Sequence, residues 1–417
     1  MTTPEHRAAS QAARESYGRL VAWLASRCGD IPLAEDAVAD ALEAALRQWP
    51  ESGVPANPEA WLLTAARRRV IDGQRRRATR RAGEPVLTQQ ADEVAALRRE
   101  AQEAAAVPFR EHLPDRRLEL LFVCAHPAIP ADVRTPLMLQ TVLGLNAERI
   151  GSALLVKPAT MGQRLVRAKK RVREAGIPFE RPAPEELPER LGYVLDAIYA
   201  AYGTGWEMGE GTGLAWEAIW LARLVVALLP DAAEGLGLYA LMLHCEARRG
   251  ARRDETGAFV PLEAQATTAW DHELILEAEK ALWLASKRRT PGPYQLEASI
   301  QSIHAHRARS GVTDWAGVER LYAVLAREYP SLGATVGWAA SRGRVGQPRE
   351  GLALLASIPA ARVARHQPYW AVRAFLLGAA GELAEARGAY ERAAGLATDE
   401  AVRRWLLAQR PAESGEG

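Results

Sequence analysis

Apolar residues, Ala and Leu above all, recur at helical spacing along almost the whole chain, and no run of alternating β-branched residues interrupts them. Such a stripe can be buried only against another helix, so the sequence predicts an all-α protein built of helices packed on helices. At 417 residues the expectation is two or three domains.

The chain reads as four parts. Residues 10–82 form a first helical bundle, in which a helix over 33–48 follows Pro32 and carries Glu35, Asp36, Asp40 and Glu43 on its outer face. After Trp49-Pro50 comes a loop rich in Gly, Pro and Asn, and a second helix begins at Glu59-Ala60-Trp61. That helix runs into residues 67–81, which hold eight arginines and one acid, Asp72. Residues 83–112 read as a linker between two basic modules. Residues 113–176 contain expected helices over 115–124, 131–143, 146–156 and 158–173. A Pro-rich boundary at 178–184 then leads into an Ala/Leu/Trp-rich helical tail, 185–410.

Charge divides along the same line. The overall balance is only +2, too even for a histone-like binder, yet residues 1–180 carry net +5 and residues 181–417 net −3. Three widely spaced cysteines, Cys28, Cys124 and Cys245, supply neither a disulfide framework nor a Cys-rich zinc site and point to a reducing compartment. The first ten residues lack an apolar signal region, and runs such as 224–229 are far shorter than the about 20 residues of a membrane span. The expectation is a cytoplasmic protein with no membrane partner.

The strongest local pattern is helix, turn, helix over 145–173. Ile150, Ala153 and Leu154 of the first helix are placed to pack on Met161, Leu165 and Ala168 of the second, leaving Thr160, Gln163, Arg164, Arg167 and Lys170 outward. Residues 157–173 hold seven cations and no acid. Polar and Arg side chains near such a helix's start can meet base edges in a major groove while later cations meet phosphates. The bland alternative is a basic surface helix favoured by its macrodipole. In the first bundle the arginine run follows Trp61, a pairing suited to unpaired bases, although Trp61 reads at least as well as a core anchor.

Enzyme chemistry finds no support. His304-Ala305-His306 places two imidazoles about 200° apart on a helix, so they do not converge on a metal. Neither a phosphate-binding Gly-rich loop nor a Gly-x-Ser-x-Gly elbow occurs. No cofactor is implied. In the tail, Gly346/Gly351/Leu355 and Gly381/Ala386/Tyr390 are offset by 35 residues, close to a tetratricopeptide period, with Trp370 ahead of the second copy.

Taken together, residues 17–20, 33–42, 60–67 and the later helix-turn-helix resemble regions 2 and 4 of extracytoplasmic-function sigma factors. The segments 55–62, 124–128, 163–169, 175–179 and 289–296 resemble the branch in which a tetratricopeptide-type tail follows. The resemblance implies a specificity subunit of RNA polymerase without an active site of its own. Leu33, Asp36, Ala37 and Asp40 would dock on the polymerase clamp helices. Asn57, Trp61, Arg67, Arg68, Arg69, Arg75, Arg76 and Arg77 would melt and hold the minus-10 element. Pro158, Thr160, Gln163, Arg164, Arg167, Lys169, Lys170 and Arg171 would read the minus-35 duplex. The chain departs from the family's pattern at Ala39, Gly73-Gln74, 202–206 and 335–344. The tail reads as a regulatory platform, acting in cis or through a protein partner. A one-component helix-turn-helix repressor or activator with a ligand- or protein-binding tail is the alternative, and the first bundle, which such a protein does not need, argues against it.

Overall fold

The computed structural model describes residues 4–81, 115–154, 156–177, 179, 182–208 and 213–412. Among them are 19 α-helices, three short 3-10 turns and no strand beyond an isolated bridge between Arg253 and Phe259. The all-α reading holds. The expected linker, 83–112, lies outside the described residues.

The chain divides into two compact units, Met1–Leu221 and Ala222–Gly417. The first opens with three mutually packed helices, α1 (Pro4–Cys28), α2 (Ile31–Ser52) and α3 (Pro58–Arg81). Their ends follow local chemistry. Gly29 takes φ 63° just after α1, where a left-handed residue costs glycine little. Asp30 caps α2 by accepting the Leu33 N–H at 3.0 Å, and Asn57 caps α3 by accepting the Ala60 N–H at 3.0 Å. Leu20, Leu24, Ile31, Val38, Trp49, Leu62, Leu63 and Val70 fill the space between the helices. The departure at Gly73 stands where a Cβ would lie 2.7 Å from Leu33 Cδ1, the movable end of a side chain.

Next come α4 (Arg117–Cys124), α5 (Ala131–Thr141), α6 (Ala147–Ala153) and α7 (Pro158–Glu174), with α5 touching each of the other three. Two further helices, α8 (Leu187–Met208) and α9 (Leu214–Leu228), begin the tail. The unit boundary differs from the one read at 178–184, because α8 packs on α4 and α5. Arg134 of α5 shows why. Its Nε donates to the Ile129 carbonyl at 2.9 Å, its guanidinium lies 4.3 Å from the Tyr193 ring centroid, and Nη1 reaches Glu189 at 3.4 Å. Within 202–206, a Cβ on Gly205 would stand 2.5 Å from the Ala215 nitrogen, so glycine lets α8 and α9 cross closely.

The second unit is built from α10 (Ala233–Glu246), α11 (His272–Lys287), α12 (Pro293–Ser310), α13 (Trp315–Glu328), α14 (Leu332–Arg344), α15 (Pro348–Ala356), α16 (Ala360–Val363), α17 (Gln367–Ala379), α18 (Leu383–Leu396) and α19 (Glu400–Ala408). Helix α10 is apolar nearly all round and buried, with α11 and α12 packed on it, as a central helix should be. Glu234 of α10 caps α12, accepting the N–H groups of Tyr294 at 2.8 Å and Gln295 at 3.2 Å and the Gln295 amide at 2.9 Å. Within 289–296, Gln295 and Gly292 serve that cap, the missing Cβ of Gly292 making room for the Glu234 carboxylate.

The hairpins α14/α15 and α17/α18 turn at Gly346 and Gly381, with φ 82° and 85°. Small residues at matching places, Gly351 and Ala386, are buried in the two hairpins. A Cβ on Gly351 would meet the Ala339 carbonyl oxygen at 2.7 Å. Trp370 donates from Nε1 to the Val363 carbonyl at 3.0 Å. His304 is buried edge-on against Trp315 at 5.3 Å while His306 faces outward, the divergence that their spacing requires.

Candidate nucleic-acid interface

Helix α6, a short turn and helix α7 occupy the segment that the sequence reads as helix, turn, helix. Asn146 caps α6 by accepting the Arg149 N–H at 2.9 Å. The Val156 N–H closes the turn on the Gly151 carbonyl at 2.8 Å. A Cβ on Gly151 would lie 2.6 Å from the Val156 oxygen, so the turn needs glycine there. Ile150 on α6 and Met161, Leu165, Ala168 and Val172 on α7 are buried, which fixes the rotation of α7. The expected partner Ala153 has a side chain outside the described residues.

With that rotation set, Pro158, Thr160, Gln163, Arg167 and Lys170 are exposed. The last four repeat at helical spacing and make one polar stripe. Arg167 Nε reaches the Gln163 carbonyl at 3.4 Å and Lys170 pairs with Glu174 at 3.5 Å, both contacts on the surface of α7 itself. These exposed pairs are weak. Arg164 is partly covered and reaches Asp132 of α5 at 3.4 Å. Arg171 donates from Nε to the Ala128 carbonyl at 2.6 Å. Lys169 does not face outward: its Nζ lies 2.6 Å from Glu35 Oε2, and its side chain is 20% exposed against 9% for Glu35. The resemblance alone carried Lys169 into the expected set, and the neighbouring α2 covers it.

On the first bundle the expected residues separate into groups. Asn57 is exposed and its side-chain oxygen serves as the α3 cap. Trp61 is half-buried, its ring edge-on to the buried Trp49 at 5.6 Å and 70°, so it packs as a core anchor. Arg67 stacks over Trp23 at 5.1 Å, Arg68 is exposed, and Arg69 lies 3.6 Å from Asp40. Arg75, Arg76 and Arg77 continue α3, and their side chains lie outside the described residues.

Of the expected docking residues, Asp36 and Asp40 are exposed, whereas Leu33 and Ala37 are buried at 8% and 2%. They lie on the inner stripe of α2, where helical periodicity sends the apolar residues, and they serve the core rather than the surface. Glu35, read as outward, is likewise 7% exposed. Burial raises its pKa; the adjacent Lys169 pulls it back down. Its Oε1 has no hydrogen-bond partner among the described residues.

The sequence offered no signal for three contacts that join these elements. Glu35 and Lys169 are far apart in the chain. Gly18 of α1 faces the Val142 carbonyl closely enough that a Cβ would fall inside the 3.0 Å limit. Arg117 is 5% exposed, bonded to Asp115 through Nη2 at 2.7 Å, paired with Glu217, and stacked over Trp220 at 4.2 Å. The 124–128 segment is a receiving point. His126 Nδ1 accepts the Ala128 N–H at 3.1 Å, while the Pro127 and Ala128 carbonyls accept from Arg134 and Arg171. Burial pushes the Cys124 thiol up to about 12, leaving a packing residue rather than a nucleophile.

Residues 13–81, which end with α3, match the sigma-70 region 2 family, and residues 190–286 match a family of unknown function, DUF6596. An uncharacterized protein of Rhizobium meliloti is 38% identical over 376 residues, covering 89% of this chain and 87% of its own length. No solved structure matches the chain.

Proposed function

The chain belongs to the family of that Rhizobium meliloti protein and carries sigma-70 region 2, a domain of RNA polymerase sigma factors, and from this premise we propose an extracytoplasmic-function factor with a tetratricopeptide-like tail. Helix α7 would read the minus-35 duplex through Thr160, Gln163, Arg164, Arg167 and Lys170, with Pro158 and Arg171 at its margins. Helix α3 would hold the melted minus-10 strand through Arg67, Arg68 and Arg69 and the continuing Arg75, Arg76 and Arg77, near Asn57 and Trp61. Asp36 and Asp40 would meet basic partners on the polymerase clamp helices. The RNA-forming chemistry belongs to core polymerase.

The observation carrying this reading is the coexistence of the region 2 match over 13–81 with a helix-turn-helix whose second helix exposes Thr160, Gln163, Arg167 and Lys170. A repressor would use the second feature and has no need of the first. No helix among the described residues is long and apolar enough to cross a membrane. The tail's buried small residues, Gly351 and Ala386, and the repeated turns at Gly346 and Gly381 support a helical-hairpin array able to present a groove to a protein partner.

Run-off transcription with purified core polymerase on genomic fragments, with and without the protein, tests the proposal. New start sites preceded by two spaced elements are expected. Sequence-specific duplex binding without core, and no new transcripts from any fragment, would favour the repressor instead.

A further inference from the structure

We propose that residues 252–266 cover, within the second unit, a docking surface for a protein partner, and that the partner displaces them with a peptide segment of the same chemistry, an aromatic ring followed four residues on by a carboxylate. The inference deepens the reading of the tail as a helical-hairpin array and rests on it.

Helices α10 and α11 pack directly on each other, and connections of about 2 to 8 residues suffice for such neighbours. The chain instead spends residues 247–271 on the passage. A loop of that length is ordinarily functional. The excursion is closed at its base, where the Asp271 N–H donates to the Ala247 carbonyl at 2.8 Å. What lies beyond that bond can leave without parting α10 from α11.

The excursion runs out to α19 and returns past α14 to α12. Phe259 lies edge-on to Trp405 of α19, ring centroids 5.6 Å apart, and Arg253 pairs with Asp399 at the start of the same helix. Glu263 Oε2 lies 2.6 Å from Nη2 of Arg344, the last residue of α14. Arg307 of α12 donates to three main-chain carbonyls, those of Leu262 and Gln265 at 2.9 Å each and that of Glu263. Helices α12 and α14 each open a hairpin of the array, so one short segment lies against consecutive hairpins.

These contacts have the character of peptide recognition. Arg307 reads main chain, which any sequence presents. Arg344 reads the acid: its guanidinium is stacked on the rings of Trp315, at 5.4 Å, and Phe375, at 4.5 Å, and is thereby oriented for a carboxylate. Trp405 reads the aromatic side chain by its edge. The segment itself is lightly held. Residues 253–258, Glu263 and Ala264 are exposed, and Phe259 and Leu262 are half-buried, which is the profile of an element of low local stability. The buried Gln265 side chain bonds within the excursion, to the Val260 carbonyl at 3.2 Å and to Trp270 Nε1 at 3.1 Å, and moves with it.

The test uses the full chain and a labelled peptide with the sequence of residues 252–266, read by fluorescence anisotropy. In the parent the tethered segment competes at high effective concentration. Phe259→Ala with Glu263→Gln, at a half-buried and an exposed position, loosens it. The peptide should then bind more than about tenfold tighter to the loosened variant than to the parent, and adding Arg344→Gln should weaken that binding by about tenfold. Arg344→Gln alone, at an exposed position, is the second variant: hydrogen exchange over 252–266 should rise by about tenfold while α10 and α12 stay as in the parent. No peptide binding to the loosened variant, or binding indifferent to Arg344→Gln, would overturn the docking surface, and so would unchanged exchange in the Arg344→Gln chain. Run-off transcription is a separate readout: its failure would refute the sigma-factor reading and leave the peptide result standing.

Discussion

Gly18→Ala gives a prediction whose sign the packing decides. Inside a helix, replacing Gly by Ala favours the helix by about 1 kcal/mol. At Gly18 the added methyl would fall within 3.0 Å of the Val142 carbonyl oxygen, a backbone atom that cannot rotate away as a side chain can. Overpacking of this kind costs about 1 to 3 kcal/mol, so the net effect is a loss of up to about 2 kcal/mol. For a unit of this size the melting temperature should fall by about 2 to 4 °C per kcal/mol. Gly192→Ala on α8 is the matched control, because nothing lies within 4 Å of its added methyl; it should raise the same transition by the propensity gain. Calorimetry of the full chain reads both. If Gly18→Ala melts as high as Gly192→Ala, the close approach of α1 to the end of α5 is absent in solution, and the reasoning fails.

Further outcomes follow from single contacts. Asn57→Ala should cost about 1 kcal/mol in a chemical melt through loss of the α3 cap, and Asn57→Asp should restore most of it; equal losses in both would mean that the cap is not the cause. Arg167→Ala and Lys170→Ala should each lower the salt slope of promoter binding by holoenzyme by about one, measured by anisotropy from low to moderate salt. Burial and neighbouring cations pull the pKa of His244 down to about 3 and of His304 down to about 4. Their folded values lie below the unfolded 6.5, so the stability they permit is complete above that pH and is lost as pH falls toward the folded values. The melting temperature of the second unit should drop between pH 7 and 5, at up to on the order of 1 kcal/mol per pH unit for each histidine. His304→Gln should flatten that dependence, and an unaltered profile would show that His304 is not buried neutral.

How much of this was legible in the sequence depends on distance along the chain. The buried side of α7 was readable because Ile150, Met161, Leu165 and Ala168 are near neighbours whose spacing alone sets it. The exposed run of Thr160, Gln163, Arg167 and Lys170 follows from the same rotation. The docking set on α2 came from the resemblance and not from periodicity: Leu33 and Ala37 lie on the inner stripe, and of the four only Asp36 and Asp40 remain outside. Lys169 and Glu35 were unreadable for a different reason. Each looked like one more surface charge, and nothing local announces a partner in another block. The glycines at 73 and 205 carried a signal of another kind. At 205 two backbones come too close for a Cβ, whereas at 73 the neighbour is the movable end of Leu33.

The Glu35–Lys169 pair joins α2 to α7 at 2.6 Å. A pair this sheltered gains Coulomb energy and forfeits hydration, and the two nearly cancel. The upward displacement of the Glu35 pKa despite an adjacent ammonium group says that burial is the larger influence on its ionisation, and its Oε1 adds a further unmet acceptor. The packing of α7 on α2 therefore gains specificity of register from this pair and little net stability. Net stability falls to the apolar contacts and to the guanidinium contacts of Arg117 and Arg134, and part of both of these comes from tail helices. Replacing both members, Glu35→Gln with Lys169→Met, should then leave the transition within about 1 kcal/mol of the parent, whereas Lys169→Met alone leaves Glu35 buried without a cation and should cost about 3 kcal/mol. Equal losses from the single and the double substitution would show that the pair itself stabilises the unit, and the near-cancellation of attraction and desolvation would be refuted.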